Sequence, residues 1–364
     1  MTPSAVAIDA EHPWPGLMPF TEDAQAWFHG RDQEAMELLR LIRRETLTVL
    51  FGQSGLGKSS LLNAGLFPRL RAEDGLPVYI RLDVSEAAPD LSEQVLAAIA
   101  AACSTHGVEG PGAKPGMTLW EFFHRRDADF WSGRNRLLQP VLVFDQFEEL
   151  FTLGRHAESL ESRCRSLVAE LADLIEDRIP ASLAHAIEAG TVSQDGLDYA
   201  RRGCKVVFSF REDYLPEFEG LREIIRPIMQ NRMRLTRMSG SAALLAIRQP
   251  GTHLVSEEVA GQIVRFVAAP RTGRASSELD RLEVEPALLS VVCRELNNQR
   301  RRAGRVEITG DLLQGGAQQR IIEDFYESSL EDVDQRVRWF VEDQLLTDAG
   351  YRDSAALEDA LRVP

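Results

Sequence analysis

Lysine is almost missing from this chain: Lys58, Lys114 and Lys205 are its three examples among 41 basic residues. A lysine inside a motif is therefore less open to accident here than in most proteins. Cysteine is scarce as well. Cys103, Cys164, Cys204 and Cys293 lie too far apart for a C-x-x-C pair or for zinc-ligand spacing, which excludes a disulfide scaffold and a zinc module. No window reaches the roughly 18 uninterrupted apolar residues of a spanning helix, and the opening MTPSAVAIDAEHPWPG lacks the basic start and apolar core of a signal peptide. A cytoplasmic protein with reduced thiols and no membrane partner is expected. Positive charge is in deficit, 41 basic against 56 acidic residues for a net charge of −15, so the chain as a whole does not attract nucleic acid or anionic lipid.

What is present belongs to a globular protein. The 364 residues, 44% hydrophobic and 27% charged, are enough for two or three domains. The apolar spacing of Ala35, Leu38, Leu39 and Ile42 predicts a helix over 33–44. An alternation follows, with strands over 46–51, 77–84, 141–144, 205–210 and 232–238. Helices are predicted over 59–70, ending near Pro68, and over 91–102, 158–177 and 181–201. Strands alternating with helices imply a parallel sheet covered on both faces. Beyond residue 239 the strand signals stop, and helices over 241–248, 256–268, 286–302 and 311–330 point to an all-α domain. Residues 270–277 (PRTGRASS) read as a polar loop.

Gly52-Gln53-Ser54-Gly55-Leu56-Gly57-Lys58-Ser59 matches G-x-x-x-x-G-K-[ST] between a predicted strand and a predicted helix. Glycines let successive backbone N–H groups point at phosphate oxygens, and the helix start adds the positive end of its dipole. Lys58 would contact the β- and γ-phosphates, and the Ser59 hydroxyl would help hold Mg2+. Residues 141–144 (VLVF) end in Asp145, an acid placed as a water-mediated Mg2+ ligand opposite Ser59. Glu148 and Glu149 follow, and either carboxylate could orient or deprotonate an attacking water. The alternative for each is a solvated acid at a helix start. Gln146 stands where many motor ATPases have glutamate, so hydrolysis is expected to be slow. The strand over 77–84, lying in sequence between the two motif strands, resembles the additional-strand, AAA+-like branch of P-loop NTPases. Arg211 ends the fourth strand, as a cation reporting the third phosphate or as a partner of Glu212 or Asp213.

These residues resemble the STAND NTPases, and within them the bacterial novel STAND NTPase family one. The resemblance rests on Pro15-Gly16-Leu17 with Pro19-Phe20, on Phe28-His29-Gly30-Arg31-Asp32 with Glu34, and on the phosphate loop continued through Ser60-Leu61-Leu62 to Ala64-Gly65-Leu66 and Pro68. It extends over Asp145-Gln146-Phe147-Glu148-Glu149-Leu150-Phe151 and Phe210-Arg211 with Asp213-Tyr214-Leu215. It implies an ATP/ADP switch in which a closed ADP form converts to an ATP-bound homo-oligomer that engages an effector, in bacterial defence or signalling. It also implies that Gly30 and Arg31 lie near the adenine, that Pro286 packs on the base, that Ser60 extends the nucleotide contacts, and that residues 337–364 open a winged-helix domain. The domain expectation is a flexible 1–12, a P-loop domain over 13–238, a helical lid over 239–336 and the winged-helix start.

Two other readings compete. A remodelling or loader ATPase acting on protein or nucleic acid would want fast turnover and an arginine finger in trans. A nucleic-acid module would use Arg300-Arg301-Arg302 with Arg305, yet cations at a helix end are expected from its dipole alone. His29, His106, His124, His156 and His253 have no metal-ligand spacing.

Overall fold

The computed structural model describes residues 8–152, 158–191, 194–268, 279–314 and parts of 320–345. The chain divides into two units, Pro19–Thr236 and a second made of Met1–Met18 with Arg237–Pro364.

The first unit holds β1 (Leu47–Gly52), β2 (Gly75–Ile80), β3 (Val108–Glu109), β4 (Trp131–Ser132), β5 (Gln139–Phe144), β6 (Lys205–Arg211) and β7 (Arg232–Arg234). Five of them form a sheet in the order β2-β5-β6-β1-β7, every neighbouring pair parallel. Alternation along each strand feeds two cores. Val49, Phe51, Leu142, Phe144, Val206 and Phe208 enter one, with the 91–106 and 158–176 helices, while Leu50, Val141, Val143 and Val207 enter the other, with the 32–44 helix. Burial on both faces explains why these strands read as near-continuous apolar runs.

The strand that separates the two motif strands in space is β6, flanked by β1 and β5, whereas β2 lies at the sheet edge. Residues 77–84, which lie between the two motif strands in sequence, therefore do not supply the separating strand. β2 also begins and ends earlier than expected, because residues 81–84 leave the sheet.

The helix after the phosphate loop runs past Pro68. It is α-helical over Lys58–Ser60, widens to π geometry over Leu61–Leu66, and resumes as α over Phe67–Ala72. Proline has no N–H, and its ring clashes with the carbonyl four residues back in a regular α-helix; the widened turn accommodates it. The helix expected over 91–102 extends to His106, and β3 follows it, pairing antiparallel with β4. The helix Leu119–His124 was not foreseen. The helix expected over 181–201 covers only Ala181–Glu188.

In the second unit, helices Gly240–Arg248, Glu257–Val267 and Pro286–Arg302 surround a core of Ile247, Ile263, Val264, Val292 and Leu296. The unit is not wholly helical: β8 (Met238–Ser239) pairs antiparallel with β9 (Glu283–Val284). Trp14 is buried in the same core, so residues 13–18, expected with the P-loop domain, belong here. Glu11, Pro15 and Gly16 are held by Asn297, Arg300, Arg294 and Ser290, a set spaced along one face of the Pro286–Arg302 helix. The polar loop over 270–277, much of the 311–330 helix and residues 346–364 lie outside the described residues. Among the described residues no helix is long and apolar enough to cross a membrane.

Candidate functional site

The phosphate loop turns between the end of β1 and the helix that starts at Lys58. Gly57 caps that helix with φ of +82°, a left-handed conformation that costs other L residues about 1–2 kcal/mol. Gly52 is required by close approach: a Cβ there would lie 2.5 Å from the Leu235 carbonyl oxygen. Leu56 sends its side chain into the core beside Leu38 and Leu61. Its carbonyl accepts from the buried guanidinium of Arg31, 3.3 Å away. Arg31 also bonds Glu34 at 2.5 Å and the Thr236 carbonyl at 2.8 Å, so its side chain is committed to backbone support beside the loop. Gly30, which precedes it, has φ of +82°.

Lys58 Nζ donates to the carbonyls of Gly52, at 2.8 Å, and Gln53, at 3.0 Å. Burial pulls its ammonium below the ordinary lysine value, opposed by the negative charges of Glu148 and Asp145. Ser60 is engaged elsewhere, its hydroxyl accepting from the Phe20 N–H.

Asp145 leaves the end of β5 buried and saturated with donors. Ser59 Oγ donates to Oδ2 at 2.5 Å and the Tyr79 phenol to the same oxygen at 3.0 Å. Ser209 Oγ at 2.8 Å and the Gln146 N–H at 3.0 Å donate to Oδ1. Burial and the nearby Asp145 charge push the Tyr79 phenol upward, so it stays a donor. The Ser59–Asp145 pair is a hydroxyl and a carboxylate, the hard oxygen donors that suit Mg2+. Among the described residues no three His, Cys, Asp or Glu side chains gather as a metal cluster.

Gln146 takes φ of +56°, a left-handed turn unusual for its side chain. That turn and a bond from the Phe147 N–H to the Ser209 carbonyl swing Phe147 into an aromatic cluster with Phe144, Phe208 and Phe218. With Phe147 anchored, Glu148 is drawn inside, 7% exposed, and its Oε2 has no partner among the described residues. Burial raises its carboxyl above the ordinary range, opposed by its own N–H, by the Lys58 charge and by the Arg211 N–H. Glu149 instead pairs with Arg81 at 2.9 Å. Arg211 pairs with Asp213 at 2.6 Å and lies over the Tyr214 ring.

Ser59, Asp145, Lys58, Glu148 and Arg211 thus come together at the carboxyl ends of β1, β5 and β6. Pro286 belongs to the other unit, where it opens the Pro286–Arg302 helix. Arg300 is buried on Glu11, Asn297 and two carbonyls, and Arg305 pairs with Asp311, so these arginines are largely taken up within their own unit. Sequence reasoning missed Tyr79, Arg81 and Ser209. For Ser209 a signal existed, a lone hydroxyl in the apolar run VVFSF. Nothing marked Tyr79 off from an ordinary strand residue.

Solved structures with similar folds include the ORC2 protein of Aeropyrum pernix in its ADPNP–ADP complexes, 14% identical over 86% of this chain and 74% of that one, with a TM-score of 0.50. Others are Cdc6p of Pyrobaculum aerophilum (15% identity, 93% and 77% covered, TM-score 0.47) and domain III of the Thermotoga maritima replication initiation protein DnaA (15%, 80% and 90%, 0.41). At 14% identity the likeness to the ORC2 protein concerns the fold alone. No curated protein matches the chain. The family model Novel STAND NTPase 1 matches residues 13–310, and the chain belongs to that NTPase family.

Proposed function

We propose that the protein is an ATP-binding, slowly hydrolysing switch. Its ADP-bound form is closed, and its ATP-bound form assembles with further copies to engage an effector in bacterial defence or signalling. The observation that carries this reading is the joint presence, at the carboxyl ends of the inner strands β1, β5 and β6, of the phosphate loop with Lys58, the Ser59–Asp145 pair and the buried, half-unpartnered carboxylate of Glu148.

Binding begins with exchange of partners. Lys58 gives up the Gly52 and Gln53 carbonyls for β- and γ-phosphate oxygens, while the loop's N–H groups and the helix start cradle the rest. Ser59 and Asp145 hold Mg2+, which, when bound, neutralises charge on the phosphates. Glu148 orients the attacking water and takes its proton, and its raised proton affinity suits a general base. The third phosphate competes with Asp213 for Arg211, which makes that arginine the reporter of the ATP state. Gly30, Arg31 and Pro286 are assigned to the adenine end by family resemblance. The chain contains no guanine-reading N-K-x-D, which favours ATP.

Separating binding from hydrolysis tests the proposal. Lys58→Ala is expected to weaken ATP binding more than about tenfold, the scale of a lost charged hydrogen bond. Glu148→Gln is expected to bind ATP like the wild type while hydrolysing it about 10²–10⁴-fold more slowly. Unimpaired hydrolysis by the glutamine variant would remove Glu148 from the chemistry.

A further inference from the structure

Tyr79 stands on β2, the edge strand, one register step from the end of the β2–β5 pairing, where Tyr79 faces Val143 and Ile80 faces Phe144. The Ile80 carbonyl accepts from the Asp145 N–H at 2.9 Å, which locks the backbone of the two strands together at this level. The Tyr79 ring meets Phe67 edge-on at 6.3 Å, and the residue is 39% exposed. Phenylalanine would fill the same space and make the same ring contact. The hydroxyl therefore adds one thing, the 3.0 Å hydrogen bond to Asp145 Oδ2.

That oxygen has two side-chain donors, Ser59 and Tyr79. They are not equivalent. The Ser59 oxygen is itself a proposed metal ligand, so its geometry must adjust when the cation arrives, whereas the phenol is outside that set and can hold Oδ2 in either state. Ser209 and the Gln146 N–H fix the other oxygen. Without the phenol the carboxylate plane would be pinned from one side only.

We propose that Tyr79 is a positioning residue for the divalent cation, keeping Asp145 aimed at the ion held with Ser59. The inference rests on the reading of this site as a Mg-nucleotide site. Residues that orient a metal-site carboxylate in this way commonly change metal affinity about 10–100-fold when lost.

The test compares the full-length wild type with Tyr79→Phe, measuring ADP affinity by calorimetry once with Mg2+ and once with EDTA. The expected result is an unchanged affinity in EDTA, a gain on adding Mg2+ that is about tenfold smaller than in the wild type, and a higher Mg2+ concentration for half-maximal effect. Hydrolysis recovers as Mg2+ is raised, which a merely structural loss would not allow. An identical Mg2+ dependence in the two proteins, or an equal loss with and without Mg2+, overturns the role of Tyr79 while leaving the nucleotide site intact. Failure of the wild type itself to bind ADP overturns the site reading and the inference together. A protein carrying 3-fluorotyrosine at position 79 gives a reading that keeps the side chain. Its fluorine resonance is expected to move when Mg2+ is added to the ADP complex, and a resonance unmoved by Mg2+ counts against the proposal.

Discussion

Glu148 and Glu149 are adjacent and chemically identical, and burial separates the roles proposed for them. Glu149 sits in a partly exposed pair with Arg81, the kind of bridge that contributes about 0–1 kcal/mol. Glu149→Gln is therefore expected to change hydrolysis little, in contrast to Glu148→Gln. The same contrast has a pH signature. Burial places the folded-state pKa of Glu148 above its unfolded value, so between the two the folded protein binds more protons than the unfolded chain. Stability then falls as pH rises through that window, and the ionised group destabilises the nucleotide-free fold above it. Glu148→Gln is expected to melt higher than the wild type at neutral pH and to lose that advantage below the ordinary carboxylate range. Thermal scans at the two pH values check this, and equal melting at both contradicts the buried, ionisable Glu148.

At the scale of elements, the turn after β5 joins a strained residue to an apolar anchor. Phe147 holds the left-handed turn at Gln146 in place by filling the aromatic cluster, and Glu148 inherits its position. Phe147→Ala is expected to cost about 3–5 kcal/mol, as for other buried aromatic truncations, and to slow hydrolysis even in the molecules that remain folded. Denaturant unfolding and turnover per folded molecule measure the two effects. These elements also show what was legible beforehand. The strands of the sheet, the phosphate loop and Asp145 could be read because their residue types are dictated locally, by backbone geometry and by burial on both faces. The β3–β4 pair and β8–β9 depend on partners distant in sequence and left only short, ambiguous patterns. The different surroundings of Glu148 and Glu149 were hidden for the same reason, since the burial of Glu148 depends on the packing of Phe147 against β6.

Across the whole molecule, the chain passes from one unit to the other twice, after Met18 and after Thr236. Its first described residues complete the core of the C-terminal unit, where a Cβ on Gly251 would lie 2.5 Å from the Trp14 ring. Trp14→Ala is expected to destabilise that unit by about 3–5 kcal/mol. In calorimetry this would appear as an earlier transition for the second unit, and an unaltered trace would show that Trp14 contributes no stability. The proposed switch should keep its product until a signal releases it. The direct measurement is to incubate the purified chain with Mg2+ and ATP, remove free nucleotide by gel filtration, denature the protein and identify by chromatography what it held. Near-stoichiometric ADP is the expected result; a site that turns ATP over rapidly and retains no nucleotide would contradict the switch.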